Sequence, residues 1–309
     1  MVDFDSQGRL IPARDREARR VGRSLAPPQR DVALAENYKR SELIPSIKAV
    51  SPNFSPRRNA AASLNSSMLI VGMDARVERM SRRSVGRIGG TCAIAGSLLL
   101  LLGTYLHPMP ADPNDAVAAF TEYAADRLWV ASHLTQLAGV TLMVVGLLFL
   151  AQQLELGSGK VWSRIAGSGA IASLAAATAL QAVDGVALKA MVDAWAAAPP
   201  AQKEIAFHAA FAVRQVEVGL ASTLSLLLGL TVSIYGLALL DDHTFPKWVG
   251  GLAIVGGMPT TVAGVVMAYT GFSGPAMAIN MPASSVLLVW MLILGVLMWR
   301  RGRIDETPA

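Results

Sequence analysis

Residues 207–240 read FHAAFAVRQVEVGLASTLSLLLGLTVSIYGLALL, the longest unbroken helical run in the chain and the membrane-scale run that carries both signs of charge. At about 1.5 Å per residue it would be roughly 50 Å long, against a hydrocarbon slab of about 30 Å. It cannot lie wholly in lipid. Asp241 and Asp242 fix one end in water, and counting back about 20 residues sets the far edge of the hydrocarbon near Ala221. His208, Arg214 and Glu217 are therefore expected above that edge, on a helical stalk. The other apolar runs are read as helices packed around this one.

Composition sets the class. The chain is 53% apolar and 16% charged, the balance of a multi-spanning membrane protein rather than a water-soluble domain. Of the 27 Lys and Arg, 17 fall within residues 1–87, as expected for a cytoplasmic tail on a membrane domain. No nucleic-acid partner is expected, because no reader fold surrounds these residues and topology already accounts for them. Cys92 is the single cysteine, which rules out an intrachain disulfide and suits an inert small residue in an apolar run. Residues 1–67, rich in Pro, Ser, Asn and Arg and without apolar period, are expected to be a disordered basic cytoplasmic tail. Met73 opens the run MDARVERMSRR, a normal short cytoplasmic tail, so a start at Met73 is the alternative reading. Within 68–86, Leu69, Met73, Val77 and Met80 recur at helical spacing away from Arg76, Arg79, Arg82 and Arg83, the pattern of an amphipathic juxtamembrane segment.

Six apolar runs follow, at about 88–106, 130–151, 165–184, 213–240, 248–269 and 282–299, each long enough to cross a bilayer. The expected fold class is all-α, a six-transmembrane helix bundle over residues 87–300 with a short cytoplasmic tail at 301–309. Arg82, Arg83 and Arg87, then Lys160 and Arg164, then Lys247, then Arg300, Arg301 and Arg303 all fall on one side if both termini are cytoplasmic. The run Arg87-Ile-Gly-Gly-Thr-Cys-Ala-Ile-Ala95 matches Arg164-Ile-Ala-Gly-Ser-Gly-Ala-Ile-Ala172, and Val249-Gly-Gly-Leu-Ala-Ile-Val255 follows with one residue dropped, which suggests three helical hairpins in parallel repeat. Small residues let backbones approach in lipid. Gly89, Ala93 and Ser97 form one such seam, and Ala221, Ser225, Gly229 and Ser233 another, both expected to face the bundle interior.

Two features carry the candidate ligand-binding residues. Counting about 20 residues from each cytoplasmic anchor brings His107, His133 and Asp184 near the outer hydrocarbon edge, with Arg214 and Glu217 just above it. Arg214 and Glu217 meet at i to i+3 on one face, as do Gln181 and Asp184. Asp184 and Glu217 are short acids that need a partner near hydrocarbon. His133, Asp184, Arg214 and Glu217 are thus read as a polar pocket for a small polar ligand or ion. The second feature is Gly256-Gly-Met-Pro-Thr-Thr261 in the fifth helix, where Pro259 cannot donate to Val255 and a kink could expose carbonyls, with Thr260 and Thr261 as added ligands. A metal built from His107, His133 or His208 with Asp184 or Glu217 fails on spacing, since no HxxxH or HxxE pair lies on one helix. No metal, haem or other cofactor is expected. Lys189 and Asp193 should pair at i to i+4, the segment after 184 should continue as helix, and Trp129, Trp162, Trp195, Trp248 and Trp299 are read as interfacial anchors. The outer loop at 271–275 and the sixth helix are expected to add no chemistry.

On the helix count, the basic-Ile-Gly-Gly helix starts, Asp184-Gly185 and the Arg214 to Glu217 stretch, the chain from Arg83 to about Arg301 resembles uncharacterised bacterial six-helix integral membrane proteins of the domain-of-unknown-function type. The resemblance implies a bacterial plasma-membrane location and no particular activity, and residues 1–67 lie outside it. The expected function is to bind or move a small solute, ion or lipid through an outer-face polar pocket. A membrane enzyme is the first alternative, though no nucleotide loop or catalytic spacing supports it, and a scaffold or regulatory subunit is the second. The bilayer is the one partner the composition demands; a homo-oligomer stays open.

Overall fold

The computed structural model describes residues 83–155 and 157–304, with side chains through Arg301. The expected tail at 1–67, the start of the 68–86 segment and the end of the 301–309 tail lie outside these residues. Among the described residues all regular structure is helical. In chain order the helices are α1 (Arg83–Leu106), α2 (Ala116–Ala125), α3 (Trp129–Leu154), α4 (Lys160–Gln181), α5 (Lys189–Ala197), α6 (Lys203–Asp241), α7 (Lys247–Thr270) and α8 (Gly274–Ile304). A π-helical segment, Ala182–Leu188, joins α4 to α5 without a break. Among the described residues six helices are long and apolar enough to cross a membrane: α1, α3, α4 running on through α5, α6, α7 and α8. The end of the bundle near Arg83 is called proximal below, and the opposite end distal.

The expected crossings are present. The third run continues as helix to Ala197, as expected of the segment after 184, whereas the sixth begins at Gly274, well before Pro282. Helix α2 was not anticipated. It forms because Asp115 accepts from Val117 N and Ala118 N, both at 3.1 Å, a cap that contributes about 0.5–2 kcal/mol. Its last carbonyls are taken by Lys189, whose Nζ donates to Tyr123 O (2.9 Å) and Ala124 O (3.2 Å) as well as to Asp193 Oδ1 (2.8 Å). A cation at a helix C-terminus is favourable there. At the proximal end Asp241 is exposed as expected, but Asp242 is buried, and Lys247 Nζ donates to Leu240 O and Asp242 O to close the α6–α7 turn.

Two antiparallel helix pairs pack backbone to backbone. In α1 and α3 the contacts set Gly89 beside Gly146, Gly96 beside Gly139 and Gly103 beside Ser132. In α6 and α7 they set Ser222 beside Gly264, Gly229 beside Gly257 and Gly236 beside Gly250. Each series repeats every seven residues, the period that keeps one seam facing a partner helix. A Cβ on Gly96 would lie 2.6 Å from Gly139 O, and one on Gly229 would lie 2.5 Å from Thr261 N. Of the expected seams, Gly89, Ala93 and Ser97 are all buried, whereas on α6 Gly229 and Ser233 are buried, Ala221 and Ser225 are half-buried, and the line set against α7 is Ser222, Gly229 and Gly236. Spacing by four residues drifts around a helix; contact with a straight neighbour follows the shorter period.

Two cores result. One packs Leu147, Leu150, Tyr235, Leu239, Trp290 and Leu294 among α3, α6 and α8, stitched by Tyr235 Oη donating to Leu147 O (2.9 Å) and Trp290 Nε1 donating to Val249 O (3.0 Å). The second sits at the distal end and packs Phe120, Tyr123, Trp129, Leu188, Val192 and Ala210 from α2, α3, the π segment, α5 and α6. Trp195 packs against Phe120 and Phe207 there, with Lys203 Nζ 4.7 Å over its ring, so it serves the distal core rather than standing as a free anchor.

The close approach of α6 and α7 has a direct test. Gly229→Val should destabilise the protein by about 1–3 kcal/mol through overpacking. Gly251→Ala, at a helical position where a Cβ meets nothing within 4 Å, should be neutral or add up to about 1 kcal/mol. Thermal unfolding in mild detergent measures both; equal melting temperatures would mean the seam is not tight.

Candidate functional site

Trp129 opens α3, and His133 follows one turn later, so both rings point from the same face into the distal core. Both are 1% exposed. His133 Nδ1 lies 2.7 Å from Trp129 O; a carbonyl only accepts, so Nδ1 carries a proton. His133 Nε2 lies 3.0 Å from Asp184 Oδ2. That contact requires one proton between them, either on an imidazolium facing a carboxylate or on a carboxylic acid donating to a neutral imidazole. The second carboxylate oxygen, Asp184 Oδ1, is buried and has no hydrogen-bond partner.

The π segment delivers Asp184 to this position. An added residue in a turn rotates the side chains that follow it and disturbs the regular carbonyl ladder, and here Trp129 Nε1 donates to Asp184 O at 3.0 Å. Gly185 permits the approach, because a Cβ there would lie 2.6 Å from His133 Cβ.

On α6, Arg214 Nη1 donates to both oxygens of Glu217, at 2.9 and 2.8 Å. Arg214 is 6% exposed and Glu217 3%. Arg214 Nη2 also donates to Pro113 O at 3.3 Å, and the guanidinium lies 4.8 Å from the Phe272 ring centre and 5.5 Å from that of Tyr123. Burial pushes the Tyr123 phenol up to about 12, against the opposing pull of Arg214, so it stays a neutral hydroxyl. Half-buried His107, just past the end of α1, sets its Nδ1 2.7 Å from Pro108 O and its ring 5.0 Å from that of His133 and 4.8 Å from that of Trp129. Burial and the neighbouring His133 lower its pKa, with Asp184 pulling the other way.

These groups wall a cavity of about 380 Å³, within the size range of small-molecule sites. Its polar lining is His107, Glu122, Tyr123, Asp184, Arg214 and Glu217; its apolar lining is Pro108, Met109, Ala111, Pro113, Trp129, Phe272, Met277 and Met281. Glu122 Oε2 accepts from Ala111 N at 2.9 Å, which holds the loop after α1 against α2.

Of the seven residues singled out from the sequence, His133, Asp184, Arg214 and Glu217 come together here, with His133 standing behind Asp184. Pro259, Thr260 and Thr261 do not line this cavity. Helix α7 runs through Pro259, Thr260 Oγ1 donates to Gly256 O (2.8 Å) and Thr261 Oγ1 to Gly257 O (3.1 Å), and the glycines before the proline serve contacts with Leu287 and with Gly229 and Ser233. His208 stands on an exposed face 3.8 Å from Glu204. Among the described residues no group of three or more His, Cys, Asp or Glu side chains is placed to hold a metal ion. Two expectations are corrected: Trp129 is a wall of the site rather than an anchor, and the 271–275 loop with the start of α8 contributes Phe272, Met277 and Met281. Glu122 and Tyr123 were also missed, although the Asn114-Asp115 cap ahead of AVAAFTEYAA signals their helix. Comparison with protein families, with curated proteins and with solved structures finds no match.

Two outcomes follow from this geometry. Glu217→Gln, which strands a buried guanidinium, should cost about 3–5 kcal/mol, whereas the double change Arg214→Met with Glu217→Leu should recover most of that loss; thermal unfolding of the three proteins in detergent decides it. Because the folded pKa of His107 lies below its ordinary 6.5, its contribution to stability is present above that pH and is lost as pH falls through the lowered value. Melting temperature should therefore drop less between neutral and mildly acidic pH in His107→Gln than in the wild type, and parallel pH profiles would exclude this role.

Proposed function

We propose that this is a multi-pass membrane protein that binds a small solute in the distal cavity, with that cavity opening to the outer face. The observation that carries the reading is the convergence of Asp184, Arg214, Glu217 and His107 on one cavity of about 380 Å³. Intramembrane or near-membrane ionisable groups are costly, and where they gather on a cavity wall they mark a ligand or ion path by default. The basic residues Arg87, Lys160, Arg164, Lys247 and Arg300 at the proximal end favour a cytoplasmic side there, and hence both termini inside. A bacterial plasma membrane follows from the resemblance described above. The matching glycine series of α1 with α7, and of α3 with α6, favour duplication of a helical hairpin as the origin of the bundle.

Cysteine labelling tests the reading. In a Cys92→Ala background, Met281→Cys at the cavity wall and Thr121→Cys on the exposed face of α2 should both react with a membrane-impermeant maleimide applied outside cells. Small solutes of varied charge are then added as protectants. At least one class should slow labelling at position 281 several-fold without slowing it at position 121. Labelling at both sites only after permeabilisation would reverse the orientation, and no protection by any class would reject the binding function.

A further inference from the structure

Resting on that binding reading, the polar groups of the cavity also define the chemistry of the ligand. Among the described residues, the one guanidinium on its wall is already committed: Arg214 Nη1 donates to both Glu217 oxygens, Nη2 donates to Pro113 O, and its central carbon lies 4.8 and 5.5 Å from the ring centres of Phe272 and Tyr123. Lys189, an ammonium of the distal core, is likewise spent on Tyr123 O, Ala124 O and Asp193. Among the described residues of the wall, an anionic ligand would find no uncommitted Arg or Lys. Three carboxylates, those of Glu122, Asp184 and Glu217, line the cavity against that one guanidinium. The one proton shared by His133 and Asp184 leaves the site with one negative charge in excess, whichever of the two carries it.

Asp184 adds direction to this charge. Its Oδ2 is engaged by His133, while its Oδ1 is buried without any donor. An ionised carboxylate only accepts, so the group it lacks is an N–H or O–H donor, and a charged donor makes the shorter and stronger bond. The remaining wall is apolar and adaptable, with the Trp129 ring and the flexible thioethers of Met277 and Met281. Such surfaces take up alkyl or aromatic groups of varied shape and attract a cation held near a ring face. We infer that the cavity takes a small primary or secondary organic ammonium ion with an apolar flank, its N–H donating to Asp184 Oδ1 and its flank lying on Trp129, Met277 and Met281.

Isothermal titration calorimetry on the full chain in mild detergent, near neutral pH, tests this with four probes of similar shape. They are phenethylammonium, its N,N,N-trimethyl analogue, 2-phenylethanol and 3-phenylpropanoate. Phenethylammonium should bind about tenfold or more tighter than the alcohol or the carboxylate, and several-fold tighter than the trimethyl analogue, which keeps the charge but has no N–H. Asp184→Asn should weaken it about tenfold, and Met281→Trp, which fills the cavity without touching a charge, should abolish it. Should Asp184→Asn fail to fold, as judged by size-exclusion profile and melting, the wild-type probe series still decides. Binding of the carboxylate or the alcohol as tightly as the ammonium would overturn the ligand class while leaving the binding function standing. Equal affinity for the trimethyl analogue, or unchanged affinity in a folded Asp184→Asn protein, would overturn the donation to Asp184. If phenethylammonium fails to bind while other solutes protect position 281, this inference alone falls; if nothing protects that position, the binding reading falls with it.

Discussion

A helix of 39 residues extends about 58 Å, nearly twice the thickness of a bilayer's hydrocarbon, and the distal half of this bundle is shaped by the need to cover the surplus length of α6. Backbone bonds inside a helix need no partner, but the side chains of the emerging turns do. Here α2 and α5 pack onto those turns and bury Phe120, Trp129, Leu188 and Val192 with them, each worth about 1.5–3 kcal/mol on full burial. The cover is held by polar ties rather than by apolar area alone. Asp115 caps α2, Lys189 takes its last carbonyls, and Lys203 takes the last carbonyls of α5.

The cavity is a by-product of that cover. Where the membrane-length helices end and the added helices begin, neither set fills the space between them, and the gap is walled by the ends of α1 and α3, the π segment, α6 and the α7–α8 turn. Groups that would be prohibitive in hydrocarbon are tolerable there, because each has a partner: Arg214 with Glu217 on one face of α6, and His133 on α3 with Asp184 on the π segment. Asp184 Oδ1 is the exception. A regular helix from Lys160 to Ala197 would direct position 184 elsewhere, so the π segment is where the backbone gives up regularity to place one carboxylate, as such segments do at functional sites.

Below this level close approach of backbones works beside the burial of large side chains such as Tyr235, Trp290 and Leu294. Lipid tails are as apolar as leucine, so helices gain by fitting backbones together. The α1–α3 and α6–α7 pairs do so with small residues every seven positions. The distal site is mounted on this lower part, and the glycines near Pro259 have a packing role in it. Gly256 and Gly257 look like softeners of a kink when α7 is viewed alone, and become contact points once α6 and α8 are beside it.

What the sequence determined by itself was everything that depends on one helix at a time. The six apolar runs, the excess length of α6, the i to i+3 meeting of Arg214 with Glu217, and the depth that brings His133 and Asp184 to one level all follow from rise per residue and the thickness of lipid. Tertiary structure alone decided which faces meet. That Trp129 turns inward to Asp184, that α2 folds over the gap, that Phe272 and two methionines complete the wall, and that Thr260 and Thr261 bond back to their own helix are consequences of rotation and contact between helices. Rotation about an axis leaves hydropathy and spacing unchanged, and so leaves little trace in the order of the residues.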